Sequence, residues 1–267
     1  MLERYFRHVL KKRGFEDVDR VYWSLGYCQG DGCSFTASLS VDDLPAVAEH
    51  IYPTNVSKAP VRVKNLIRRR CIVEYAKENN YSVKIEQTDS HYVHANTMTA
   101  DYSVDWGDLS DFGDDSPQEL TDTILEYAKE VANDLESIGY QLIEAVNREE
   151  KEVWRFRTEN YLFRLTETEE EIDTTFLSDW DEDCFIATCE SMLKGESRIT
   201  ALKAEAWYLP DADEQWYEYH EPDASAVIGC LEIAADDQHY AGYRRELISE
   251  LIHEIKARHT QPISEAA

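Results

Sequence analysis

Asp31, His91 and His94 have side chains suited to acid–base or metal chemistry. A carboxylate beside an imidazole forms an acid–base pair, and a second imidazole would add a divalent-metal ligand. His91 and His94 lie three apart in Asp-Ser-His-Tyr-Val-His. On a strand they would face opposite sides and could not share a metal. Asp105, Asp108, Asp111 and Asp114 repeat every third residue. An EF-hand loop needs oxygens at alternate positions, then a glycine and a distal glutamate, so this spacing suits weak Ca²⁺ or Mg²⁺ binding at most. Cys28/Cys33 and Cys184/Cys189 each enclose four residues, where zinc knuckles more often enclose two, and no paired histidines follow. Reduced thiols are the expectation. The chain has no phosphate-binding Gly-x-x-x-x-Gly-Lys, no Gly-x-Ser-x-Gly and no His-Glu-x-x-His. Gln29-Gly30-Asp31-Gly32 suits a turn better than a phosphate nest, because Asp31 would repel phosphate and no lysine adjoins it. No catalytic residue, metal or cofactor is assigned. A metal-dependent enzyme built on Asp31, His91 and His94 stays open as an alternative.

Charge offers a second kind of chemistry. A helix starting at Pro117 would carry Glu119, Asp122, Glu126, Glu130, Asp134 and Glu136. Asp122, Glu126 and Glu130 recur every four residues, about 6 Å apart along a helix axis. B-DNA carries one charge per roughly 1.7 Å of axis, and carboxylates on a rigid element can imitate such an array. A ridge of this kind would also draw on Asp101, Asp105, Asp108, Asp111, Asp114 and Asp115. A second group is Glu169, Glu170, Glu171, Asp179, Asp181, Glu182 and Asp183. Tyr102, Trp106, Phe112 and Trp180 would give the face apolar anchors, although for any single one of them ordinary core packing is the better account.

The elements that would position these groups follow from hydrophobic spacing. Leu2, Tyr5, Phe6, Val9 and Leu10 share one helical face, with Gly14 as a C-terminal cap. Two β-rich runs flank Cys28–Gly32, where two glycines suit a hairpin. Ser40 and Asp43 have capping-box spacing before a short helix to about His50. A helix is expected over 59–79 with Val63, Leu66, Ile67 and Val73 inward, then a strand over 81–87 paired with one over 92–99. Residues 101–115 read as a loop. Ser116 as N-cap, Pro117 at the first helical position and Glu119 at the box position open the clearest helix. Its apolar stripe is Leu120, Ile124, Tyr127, Ala128, Val131, Leu135 and Ile138, and Gly139 is expected to stop it. Strands are expected over 152–158, 161–166, 197–208, 216–220 and 226–234. A last helix turns Tyr243, Leu247, Ile248, Leu251, Ile252 and Ile255 inward, with a frayed tail after Arg258. Elements without strict βαβ alternation predict an α+β fold of antiparallel β-hairpins packed with several amphipathic helices. A single unit is expected, with a possible subdivision near 101–115 between a near-neutral part (1–100) and an acidic part (116–267).

The 267 residues include 27 Lys+Arg and 54 Asp+Glu, a net charge of −27, with 43% apolar and 11% aromatic residues. That composition is too apolar for a disordered chain. It disfavours non-specific binding to nucleic acid or an anionic membrane. No run is long and apolar enough to span a bilayer, and the opening Met-Leu-Glu-Arg-Tyr-Phe-Arg lacks a signal-peptide core, which predicts a cytoplasmic setting. The acidity is regional: residues 1–80 net +3, and residues 101–192 net −21. Solubility, adaptation to high salt and a field shaped for a basic partner are the competing explanations. Salt adaptation should acidify the whole surface, yet the first 80 residues include Arg68-Arg69-Arg70.

The run Tyr22-Trp23-Ser24-Leu25-Gly26-Tyr27-Cys28-Gln29-Gly30-Asp31-Gly32-Cys33-Ser34-Phe35 resembles an uncharacterised family from phages, plasmids and bacterial genomes, whose members carry a GFxSQGDGASF-type segment. Some members are labelled antitoxins of toxin–antitoxin systems. Tyr92-Val93-His94 with Thr97-Met98 resembles the family's YxHxxTM segment. Leu135-Glu136, Tyr140-Gln141-Leu142 and Asn160-Tyr161-Leu162-Phe163 resemble its later segments. The chain departs from the pattern at Cys28 and Cys33, where Ser and Ala are commoner. The resemblance implies Gln29, Gly30, Asp31, Gly32, Phe35 and His94 as motif residues, a mobile-element origin and, for a phage protein, the host cytoplasm. It supplies no active site. Origin and charge together predict an acidic binding protein that inhibits a basic nucleic-acid-handling host protein of restriction or CRISPR type by mimicking nucleic-acid charge. An antitoxin-like regulator of a toxin is the further alternative.

Overall fold

Leu2, Tyr5, Phe6 and Leu10 are buried along one face of the first helix, α1 (Leu2–Lys12). Gly14 ends it at φ +93°, with the Phe15 amide bonded back to the Leu10 carbonyl at 3.0 Å. That left-handed residue and long return bond form a C-terminal cap, as the spacing predicted. The computed structural model describes residues 1–89, 91–105, 117–146, 149–170, 176–209 and 220–260. The chain forms two compact units, Leu2–Tyr140 and Gln141–Ala267. Most of the possible subdivision near 101–115 lies outside the described residues. Compactness divides the chain inside a long helix instead.

In the first unit, α1 leads to β1 (Asp17–Ser24) and β2 (Gly32–Leu39), then α2 (Leu44–Ile51), α3 (Ala59–Asn79), β3 (Ser82–Gln87), a 3-10 turn at Ala95–Thr97, β4 (Met98–Ser103) and α4 (Pro117–Glu144). The sheet is antiparallel in the order β1-β2-β3-β4. The core joins Phe15 to Phe35 at 4.9 Å and to Tyr127 at 5.7 Å between ring centres. Before α2, the Asp43 carboxylate accepts from the Ser40 amide at 2.8 Å and its hydroxyl at 2.6 Å.

Four expectations change here. The partner of β3 is residues 98–103, so His91 and His94 lie on a connection ahead of the strand. Asp101 therefore belongs to β4 and not to a loop. Gly139 does not end α4, which runs on to Glu144. A Cβ on it would meet Leu25 Cδ1 at 2.4 Å and Phe6 Cζ at 2.9 Å, so the glycine serves close packing and not termination. Val63, Leu66 and Ile67 are 51–58% exposed, because α3 turns Ile72 and Ala76 inward instead. Ser116 lies outside the described residues, while Pro117 opens α4 as expected.

The second unit holds β5 (Lys151–Arg157), β6 (Tyr161–Thr168), α5 (Glu182–Leu193), β7 (Ser197–Tyr208), β8 (Ala224–Ala234) and α6 (Ala241–Thr260). Its sheet is antiparallel in the order β5-β6-β7-β8. Leu247 and Leu251 of α6 pack with Leu165, Leu202, Ala204 and Ile233. Ile252 is exposed rather than inward. Helix α5 had no sequence expectation. The strand expected over 216–220 and the tail beyond Thr260 lie mostly or wholly outside the described residues. Both units combine antiparallel sheets with separate helices, so the fold is α+β. Among the described residues, no helix is long and apolar enough to cross a membrane.

Candidate binding face and the motif turn

Helix α4 turns Leu120, Ile124, Tyr127, Ala128, Val131 and Leu135 inward. The same 3.6-residue period places Glu119, Asp122, Glu126 and Glu130 outward, and all four are exposed. They fall on one stripe about 16 Å long. Lys129 is the one basic residue of α4 and pairs with Glu126 at 2.9 Å. Asp122 accepts from the Gln118 amide at 2.9 Å. Towards the C-terminus the stripe meets Asp134, which is paired with Arg13 at 2.8 Å. Asp101 and Asp105 are exposed in the same unit. Across the ladder, Asp101 faces Lys84, which itself pairs with Glu86 at 2.5 Å.

The second acidic group behaves differently. Glu170 accepts from the Cys230 amide, so its carboxylate is spent on strand β8. Asp181 caps α5, accepting from the Asp183 and Cys184 amides at 3.0 and 3.4 Å. Glu182 and Asp183 fill the first turn of that helix, where the backbone dipole favours negative charge. Glu169 and Asp179 are exposed. Asp108, Asp111, Asp114, Asp115, Glu171, Trp106 and Phe112 lie outside the described residues. Trp180 is half-buried and Tyr102 exposed. The expected carboxylates thus belong to two compact units. The outward helical array is the α4 stripe.

Three of the resembling segments, residues 22–35, Tyr92–His94 and Tyr140, meet at the β1–β2 hairpin. The Asp31 carboxylate accepts from the Ser24 hydroxyl at 2.7 Å, the Gly26 and Cys28 amides at 2.7 and 2.8 Å, the Cys28 thiol at 3.1 Å and the Tyr140 hydroxyl at 3.0 Å. Gly30 (φ +98°) leaves no room for a Cβ, which would meet the Tyr92 ring at 2.7 Å. Gly32 (φ +150°) likewise admits the His94 backbone, with a would-be contact of 2.7 Å. The Val93 amide bonds to the Gly30 carbonyl at 3.4 Å. The Tyr140 ring packs tilted against Tyr27, with ring centres 4.7 Å apart, and Phe35 is buried. Gln29 is exposed at the tip.

Hydrogen bonds from Ser24, Cys28 and Tyr140 hold Asp31 well below the usual carboxylate range. A carboxylate so engaged is a fixed anion, not a general base. The bond to Asp31, helped by its charge, pushes the Cys28 thiol up, away from the reactive thiolate. His91 is 85% exposed at its side chain and lies 3.9 Å from Asp89, not Asp31. His94 docks its backbone, not its ring, on Gly32. The structure therefore brings Asp31 and His94 into one neighbourhood without arranging them as an acid–base pair. Among the described residues, no group of three or more His, Cys, Asp or Glu side chains converges on a metal position. Within each cysteine pair one member is exposed and the other buried: Cys28 and Cys184 outside, Cys33 and Cys189 inside.

Tyr140 and Ser24 were missed as partners of Asp31. Tyr140 stands 109 positions away, and no local spacing links the two. No curated protein and no solved structure matches the chain. A family model matches residues 5–151, which cover nearly all of the first unit, its motif turn and the acidic stripe of α4. The chain belongs to that family, a domain of unknown function designated DUF8835.

Proposed function

We propose that this chain is a non-enzymatic acidic binding protein. The stripe Glu119–Asp122–Glu126–Glu130 would engage a basic, nucleic-acid-handling host protein in place of nucleic acid. The observation that carries this reading is the outward alignment of four carboxylates on a helix whose opposite face is locked into the core. Their rise of about 6 Å per four residues is on the scale of phosphate spacing along one strand. A regional excess of negative charge steers a basic partner and raises its association rate. The saturated Asp31 turn favours a rigid scaffold over a reacting centre. The resemblance to phage and plasmid proteins supplies the setting, with restriction and CRISPR effectors as the expected targets.

The test is capture from host lysate with wild type, with a Glu119→Lys/Asp122→Lys/Glu126→Lys/Glu130→Lys variant, and with a Glu246→Gln/Glu250→Gln control. All of these positions are exposed, so circular dichroism should be unchanged. The expected result is a nucleic-acid-binding protein retained by wild type and control and lost from the α4 variant. Binding should also fall steeply between about 0.1 and 0.5 M salt. Equal retention by the α4 variant defeats the reading. Capture of a single toxin encoded beside this chain would support the antitoxin alternative instead.

A further inference from the structure

The second unit contains a groove whose chemistry is opposite to that of the rest of the chain. Helix α6 is anchored by Leu247 and Leu251 over the β7 and β8 side of the sheet. A helix is about 10 Å across and strands lie about 4.8 Å apart. One helix so placed leaves the far edge strand, β5, without a full cover. The space between them has a volume of about 420 Å³. Trp154 of β5 and Ile248 and Ile252 of α6 supply its apolar lining, and Arg244, Arg245, His253, Lys256 and Ser249 supply its polar lining. In a chain with 54 acidic residues, none of these eight is acidic.

The sequence of α6 produces this sorting. Arg245, Ser249, Ile252 and Lys256 follow helical spacing along one flank, while Glu246, Glu250 and Glu254 run along another. The Arg244 guanidinium lies 5.3 Å from the Trp154 ring centre, which fixes one cation against the aromatic. Among the described residues, neither Arg244 nor Arg245 has a carboxylate within ion-pair distance, whereas Arg258 is held by Glu254.

We propose that this groove binds a small organic phosphate with a flat apolar body, of the nucleoside monophosphate class. The phosphate would sit among Arg244, Arg245 and Lys256, with the Ser249 hydroxyl as a further donor. The flat body would lie on Ile248, Ile252 and Trp154. The size of the anion follows from charge. A chain of net −27 repels a polyanion at long range, while a mono- or dianion meets mainly the local cations. The volume lies within the range of small-molecule sites. The site lies wholly in the Gln141–Ala267 unit and does not depend on the role assigned to α4.

The test is calorimetric titration of the full chain at about 50 mM NaCl with adenosine monophosphate, adenosine and inorganic phosphate as separate probes. Adenosine monophosphate is expected to bind with a Kd on the order of 0.1 mM, at least about tenfold tighter than either fragment. Arg245→Ala and Lys256→Gln, both exposed positions, should each weaken it about tenfold, with unchanged circular dichroism. Three results would overturn the proposal. They are equal affinity for adenosine and its monophosphate, undiminished affinity in both variants, and tighter binding of a ten-nucleotide single strand or of polyglutamate than of the mononucleotide.

Discussion

At the residue scale, the motif turn is an anion clasp. Asp31 gathers two backbone amides and three side-chain donors from residues 24–28 and from Tyr140. A carboxylate whose folded pKa lies below its unfolded value near 3.9 stabilises the fold above that value. This contribution disappears as pH falls through the folded pKa. Asp31→Asn should therefore lower the melting temperature at pH 7, and the gap from wild type should close progressively below about pH 4. Thermal melts of both proteins across pH 2–7 would reveal it, and a gap independent of pH would contradict the clasp. Arg198 plays the corresponding part in the second unit. It donates to Glu167, to the Ala234, Ala235 and Asp237 carbonyls and to the Tyr240 hydroxyl. Burial raises the pKa of Glu167, but bonds from Tyr240 and Arg198 more than offset it and hold the group ionised. Arg198→Ala removes the cation from a nearly buried carboxylate and should cost about 3 kcal/mol in urea unfolding. Arg198→Lys should recover little, because one ammonium cannot reproduce the guanidinium fork.

At the element scale, Gly139 separates two effects of opposite sign. Helix propensity favours alanine over glycine by about 1 kcal/mol. The methyl group, however, would enter the space of Leu25 and Phe6. Overpacking of this kind costs about 1–3 kcal/mol, so Gly139→Ala should destabilise by chemical unfolding, and a stabilised variant would contradict the packing. Glycine after an apolar stripe signals an end in the sequence, while the side chains that need its bareness come from residues 6 and 25. That distinction is not local, and so was not legible. Strands 161–168 and 197–208 and the cap at Gly14 were legible, because alternation and turn residues act within a few positions. The partner of β3 was misplaced because Tyr92, Val93 and His94 have strand-like composition but are held by Gly30 and Gly32. The apolar face of α3 was assigned inward, yet Val63, Leu66 and Ile67 look outward beside Arg68 and Arg70. Burial does not hold Leu66, so Leu66→Glu should change stability by less than about 0.5 kcal/mol, in contrast with a core residue such as Leu135.

At the scale of the whole molecule, charge is unevenly distributed in the sequence, and the structure gives its parts different uses. The α4 stripe faces outward, Asp181 caps a helix, Glu170 bonds a strand and Glu167 is buried with Arg198. The expectation of one outward ridge was legible only where helical period fixes direction, on α4. It was not legible at Glu170, where the amide comes from a distant strand. The excess negative charge should also work against compactness when screening is weak. Raising NaCl from about 10 mM to about 0.5 M should therefore raise the melting temperature, and scanning calorimetry would show a flat profile if the charges were internally neutralised.

Both sheets place every strand beside the one that precedes it in the chain, in the orders β1-β2-β3-β4 and β5-β6-β7-β8. A ribosome releases residues in that same order. Each new strand therefore leaves the exit tunnel with its pairing template already made, although the β2 edge waits for α2 and α3, and the β6 edge for α5, before its partner emerges. Pairing between chain neighbours shortens the loops that must close, which favours quick assembly during synthesis over slow rearrangement afterwards.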